Sequence, residues 1–470
     1  MSEVFTYVLV LVLYMCALVL IGVLSSRRLK GIEDFYIGGR KVGPWVTALS
    51  FVAAYFSSVV IVGGGGFGYL YGMSTIWIGA INVLVGCTLC WIILGPRIRK
   101  FTKKLGTMTI PDFLGASYGS RNVSIFSSIV ISVFLVVYNV SILKGMGHIF
   151  EILIGLPYLY GVVISAIVIL FYVSIGGYLA VVWTGFFQAW VMIFGLLLLT
   201  AVSVFRVGGL TQVHLSLQAI DPGLVMTPGV WGWAGLVSFA LIVSFGVWGM
   251  PQLVVRFYSI KSVDVLRVGT LIVTLGGCIA LLPYFTGAIS RLLVPNLSNP
   301  DLAIPTLTKL VLSPLGGAIF LSAVVAAGMS TFSSVLIIAS SSVVRDFMQK
   351  GLRRDLSPAD AMRYNRIVSI LVGVVSLLIA LRPPALILVL CAFSWAAIAS
   401  TTLWPLFFAL YGKRRSGSVC MTSMILGCAT ALLWMAWGNP YGIHGFIPGV
   451  IVGAIPFFLF QLPSSTRSRQ

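Results

Sequence analysis

Thirteen stretches of this chain are apolar for close to 20 residues or more, and that pattern leaves few folds open. They cover 4–26, 45–72, 74–96, 123–154, 157–175, 178–205, 233–258, 265–290, 314–343, 363–381, 385–412, 419–437 and 445–462. About 20 apolar residues in a helix cross the hydrocarbon of a bilayer. No water is available there, so each crossing backbone must satisfy its own hydrogen bonds. The expectation is an all-α membrane protein with thirteen transmembrane helices, numbered here as runs 1–13. Only 9% of the residues are charged, against about 25% in a soluble domain. A water-facing surface of ordinary size is therefore excluded, and the lipid bilayer is the expected surroundings.

The basic residues give the orientation. With the N-terminus outside, 25 of the 30 Lys and Arg fall in the loops after runs 1, 3, 7, 9 and 11 and in the tail, including Arg467 and Arg469. Four lie on the opposite side (Arg206, Arg291, Lys309 and Arg382), and Lys144 lies inside run 4. An excess of Lys and Arg marks cytoplasmic loops, so the C-terminus is expected in the cytoplasm of a prokaryote with an inner membrane. The net charge of +19 thus reads as orientation, not nucleic-acid binding. Run 1 is too long for a signal peptide and is followed by Arg27, Arg28 and Lys30, which marks it as a span. The seven cysteines are mostly within apolar runs and have no secreted-scaffold spacing, so no disulfide framework is expected.

Two runs are poorly suited to an unbroken helix. Run 2 holds Ser57-Ser58, then Gly63-Gly64-Gly65-Gly66, Gly68 and Gly72; run 7 holds Gly246-Val247-Trp248-Gly249-Met250-Pro251. Glycine and proline weaken helices, and interrupted spans at matching places in two halves point to a transporter's central site. Runs 2 and 7 are five apart, so runs 2–6 and 7–11 form a 5+5 inverted repeat with broken first and sixth core helices. The expected divisions are 1–44 for the first span and its loop, 45–412 for the ten-helix core, and 413–470 for two further spans and a short cytoplasmic tail.

Three side-chain patterns bear on chemistry. Ser330 and Thr331 sit midway along run 9, among Ser333, Ser334, Ser340, Ser341 and Ser342. A hard cation such as sodium takes oxygen ligands, although Ser and Thr in helices also bond to their own carbonyls. None of the eleven acids is expected at mid-membrane, which disfavours a carboxylate proton relay. Lys144 is expected about 15 Å deep, with His148 and Glu151 on the same helix face. It is a candidate counter-charge for a substrate carboxylate, or a cation that pairs with Glu151 or snorkels outward.

Several motifs, in order, resemble those of the sodium:solute symporter family, which shares the leucine-transporter fold. Glu33–Arg40 is similar to its D-F-Y-x-x-G-R loop, and Gly249-Met250-Pro251-Gln252…Arg256 to G-x-P-Q…R. Ser174–Ala180 with Trp183-Thr184…Gln188 is similar to G-G-x-x-A…T-D-x-x-Q, and Ala326–Thr331 with Asp346 to the sodium-binding span. The resemblance implies a Na+ site made by Ser330 and Thr331 with the carbonyls of Ala53, Phe56 and Ala327. It also implies a substrate cavity near Tyr55, Ser57, Ser58, Lys144, Trp248 and Gly249, with Ser394 and Trp395 from run 11. The chain departs at the T-D pair, which reads Thr184-Gly185, and at Tyr55, where some members carry an acid.

The expectation is a secondary active transporter that takes up a small organic solute, such as a monocarboxylate or an amino acid, with sodium. No organic cofactor and no obligatory protein partner is expected, and no enzyme, since no nucleophile–base set or metal-ligand cluster is apparent. Gly185 keeps a sodium-independent or proton-linked carrier as an alternative, and a solute sensor without net transport is another. Against the sensor, the sequence runs only eight residues past run 13, so no attached output domain is expected.

Overall fold

The computed structural model describes residues 3–382 and 385–461; the tail with Arg467 and Arg469 lies outside them. Among the described residues the chain is helical, with one isolated bridge between Val42 and Ile260. Exposed positions are rich in large apolar side chains, such as Phe194, Leu197, Leu271 and Leu378, as a lipid-facing surface requires.

Ten helices among the described residues are long and apolar enough to cross a membrane, so the thirteen runs do not correspond to thirteen separate long helices. The differences have local causes. Runs 5 and 6 lie on one 50-residue helix, Tyr158–Val207, which kinks at Gly177 (φ 54°, ψ −150°). A Cβ at residue 177 would meet the Phe35 ring at 2.6 Å, so both the positive φ and the packed ring demand glycine. Runs 2 and 3 meet at Gly72, whose φ of 74° and ψ of −155° end the Gly64–Tyr71 helix. Run 13 is the shorter Phe446–Gln461 helix.

The Pro314–Ser341 helix is enclosed by protein and packs along Tyr158–Val207, with the Glu3–Ser26 and Pro44–Tyr55 helices against the same pair. The helices Arg121–Ile154 and Ile387–Tyr411 pack together beside it. Both expected breaks are present, but the first is not at the glycines. The Pro44–Tyr55 helix ends at Phe56 (φ −89°, ψ 79°), where the Phe56 N–H still bonds to Val52. The chain resumes as a π-helical turn, Val59–Gly63, and an α-helix, Gly64–Tyr71. The break therefore sits at Phe56-Ser57-Ser58, and the glycine run is helical. The second break matches its sequence signal: a 3-10 turn spans Gly246–Gly249, Met250 is extended (φ −80°, ψ 115°), and Pro251 starts the next helix.

The glycines serve packing instead. The Gly64–Tyr71 helix lies on Leu281–Leu293 with backbone against backbone. A Cβ at Gly287 would drive into the Gly65 carbonyl oxygen, and one at Gly68 into that of Tyr284. Neither clash can be relieved by a side-chain rotation. Gly287→Ala is expected to destabilise the protein at the upper end of the about 1–3 kcal/mol typical of overpacking. Thermal unfolding of the purified variant tests this, and an unchanged midpoint would contradict the close seam.

Candidate functional site

The first broken helix ends with carbonyls that have no next turn to bond. Those of Ala53 and Ala54 point at the enclosed Pro314–Ser341 helix. The Ser330 hydroxyl donates to the Ala53 carbonyl at 2.7 Å and to Ala327 at 3.0 Å. The Thr331 hydroxyl donates to Ala54 at 3.0 Å and to Ala327 at 3.2 Å. Ser330 and Thr331 are buried. Two hydroxyls and three carbonyls thus converge where two helices meet, with no carboxylate among them. The donor set is all oxygen and uncharged, which suits a hard monovalent cation, and helix C-terminal carbonyls favour positive charge. Of the carbonyls expected from the sequence, Ala53 and Ala327 touch the hydroxyls. The third that does so is Ala54, not Phe56.

Beside this point lies a buried aromatic group. The Tyr55 ring stacks on Phe56 (4.7 Å between centroids) and on Trp395 (5.8 Å), and Tyr138 meets Trp395 edge-on at 5.8 Å. The Tyr55 hydroxyl donates to the Val243 carbonyl, which also accepts from Asn82 at 3.3 Å. The Asn82 side chain and the Trp395 indole N–H are buried beside the Tyr55 and Tyr138 hydroxyls, which places neutral polar atoms within the aromatic group. Ser57 accepts from the Val59 N–H at 3.2 Å, and Ser58 donates to the Ile142 carbonyl at 2.9 Å.

Other residues expected at the site face elsewhere. Trp248 donates to the Val85 carbonyl at 3.1 Å and lines an apolar groove with Phe245, Leu403 and Trp404. The Gly249 carbonyl accepts from Thr402 at 2.8 Å, and Ser394 donates to the Phe134 carbonyl at 2.5 Å. Both therefore join helices together.

Lys144 is paired, though not with Glu151. Its ammonium lies 3.0 Å from Asp301 and 3.1 Å from the Ala385 carbonyl, while Asp301 also accepts from the Ile387 N–H at 3.3 Å. Glu151 faces His148 at 3.4 Å. An acid therefore does reach the depth of Lys144, contrary to the expectation from the sequence. It arrives on a short turn, Pro300–Leu302, that packs into the bundle between two spans. Asn82, Tyr138, Ala54 and Asp301 were not singled out by the sequence. Asn82 was the most accessible of these, as a lone amide in an apolar run.

The model of the sodium:solute symporter family matches residues 35–427, across both breaks and the converging oxygens. The chain belongs to the sodium:solute symporter family. Symporters of this family are transporters, not enzymes, and sodium is the coupling ion. The osmoregulated proline transporter of Bacillus subtilis is 30% identical over 94% of this chain and 92% of its own length. The sodium/proline symporter of Staphylococcus aureus is 30% identical over 96% of this chain and 91% of its own. The structure of a Na+-coupled sialic acid symporter in a substrate-bound outward-open state superposes with a TM-score of 0.82, covering 98% of this chain and 100% of that one at 21% identity. That likeness carries the fold, a leucine-transporter-type helical bundle.

Proposed function

We propose that the chain takes up a small zwitterionic solute, an amino acid of the proline type, together with sodium by alternating access. It would sit in the cell membrane with its N-terminus outside. Sodium would bind the hydroxyls of Ser330 and Thr331 and the carbonyls of Ala53, Ala54 and Ala327. The observation that carries the reading is the meeting of these five oxygens at the end of a broken helix, directly beside the Tyr55–Trp395–Tyr138 group.

The pairing of Lys144 refines the solute class. A lysine already neutralised by Asp301 offers no spare charge to an anion. A solute with no net charge fits an aromatic group with neutral polar atoms better than a simple monocarboxylate does. The proline carriers among the relatives support the same class.

The test is a thermal-shift panel on purified protein, with proline, other amino acids, monocarboxylates and sugars in sodium and then in potassium. A ligand that binds only the folded state raises its stability by mass action. Proline or a close analogue is expected to stabilise the protein, and more so in sodium. Stabilisation by a monocarboxylate and not by any amino acid would overturn the solute class. Equal stabilisation in both salts would overturn the coupling.

A further inference from the structure

One buried cation near the sodium oxygens has no counter-charge. Arg256 follows the second break and is 1% exposed. Its Nη2 donates to the Ser334 hydroxyl at 2.7 Å, and Ser334 donates in turn to the Ser330 carbonyl at 2.8 Å. Its Nε and Nη1 have no protein partner, nor do the side-chain atoms of buried Gln252 one turn earlier. The guanidinium also lies 5.2 Å from the centre of the Tyr178 ring. Among the described residues no carboxylate is within ion-pair distance of it, whereas Lys144, Arg345, Lys350 and Arg40 each have one.

Ser334 is four residues past Ser330, or about 6 Å along the helix, so the guanidinium stands one turn from the sodium oxygens. The nearby place where an acid could stand is taken by Gly185. A Cβ there would lie 3.2 Å from that of Ser50, and Ser50 precedes Ala53 by one turn. At position 185 the Tyr158–Val207 helix therefore meets the sodium-binding half-helix without a side chain.

We propose that Arg256 is the coupling-determining residue of this transporter: a tethered cation whose uncompensated charge holds sodium affinity at the Ser330–Thr331 oxygens low. The inference rests on the sodium site proposed above. At the effective dielectric of a protein interior, a like charge about 6–8 Å away weakens ion binding by roughly tenfold or more. The chain would thus bind sodium loosely and release it readily, and uptake would respond to sodium only at high concentration.

The test is a sodium titration of the purified protein without solute, read by thermal shift and by radiolabelled sodium binding. Arg256→Gln is expected to tighten sodium binding about tenfold, and Arg256→Lys, which keeps the charge, to stay near the unaltered protein. Gly185→Asp, which brings a carboxylate opposite Ser50 while Arg256 stays in place, is expected to tighten it as well, and serves if the Arg256 variants fail to fold. Unchanged or weaker sodium affinity in Arg256→Gln overturns the inference, as does unchanged affinity in Gly185→Asp. Ser330→Ala in the same titration separates the two readings. If it abolishes binding while Arg256→Gln changes nothing, the sodium site stands and only the role of Arg256 falls. If Ser330→Ala leaves binding intact, the site itself falls, and this inference with it.

Discussion

Replacing Ser330 and Thr331 together by alanine is expected to weaken sodium binding on the order of 10²- to 10⁴-fold and to leave uptake flat across the sodium range in which the unaltered protein responds. The two hydroxyls are the only side-chain oxygens in the converging set. A hydrogen-bonding partner of a charged group contributes about 1.5–3 kcal/mol, so losing two costs about 3–6 kcal/mol, at about 1.4 kcal/mol per tenfold. The fold is expected to tolerate the change. Alanine is a better helix former than serine or threonine, and each hydroxyl also spends a bond on its own helix at Ala327. Uptake measured against sodium concentration, alongside the melting temperature, separates a lost ion site from a lost fold. Sodium-dependent uptake that survives in a well-folded double variant rules the site out.

The second large effect belongs to Lys144 and Asp301. Asp301→Asn alone is expected to cost about 3–5 kcal/mol, because it leaves a buried ammonium with no opposing charge. Lys144→Met alone should cost a similar amount by stranding the carboxylate. The double variant should recover most of the loss, because replacing both partners with neutral groups removes the desolvation cost along with the attraction. Thermal unfolding of the three variants checks the pattern. If the two single losses simply add in the double variant, the pair is not a unit. Uptake by the double variant also bears on the role of Lys144. Were it a counter-charge for solute carboxylates, the double variant would lose acidic solutes selectively and keep neutral ones.

Much of the architecture was legible because it follows from solvent. Apolar runs, basic loops and two interrupted spans are one-dimensional signals, and they indicated a helical bundle with two broken core helices. The hydroxyls of Ser330 and Thr331 were legible as a motif. That the Thr331 hydroxyl donates to the Ala54 carbonyl was not, because it depends on where the helix lets go. Glycines mark weakness in a sequence, yet here the helix parts at Phe56-Ser57-Ser58, and Gly63–Gly66 lie in helical turns used for close packing. Asp301 lies between runs 8 and 9 and, like the other acids, is not expected at mid-membrane from the sequence. Its partner lies 157 positions away, and nothing local announces that a short turn folds back into the bundle. Arg256 was visible as part of a motif, but the lack of an ion-pair partner for it among the described residues is a property of the packed chain alone.

The seam between Gly64–Tyr71 and Leu281–Leu293 has a mechanical meaning. Where Gly65 meets Gly287 and Gly68 meets Tyr284 the two helices touch through bare backbone, and a displacement of one would carry the other with it. The other half of the broken span, Pro44–Tyr55, is bound to Tyr158–Val207 and to Val265–Gly277. Val265–Gly277 and Leu281–Leu293 are parts of one 29-residue span, so both halves of the broken helix ride on a common support and are joined to each other through Phe56, Ser57 and Ser58. With ion and solute bound as proposed, a bend at this joint would be felt first by the cargo, while the shared support keeps the two half-helices in register.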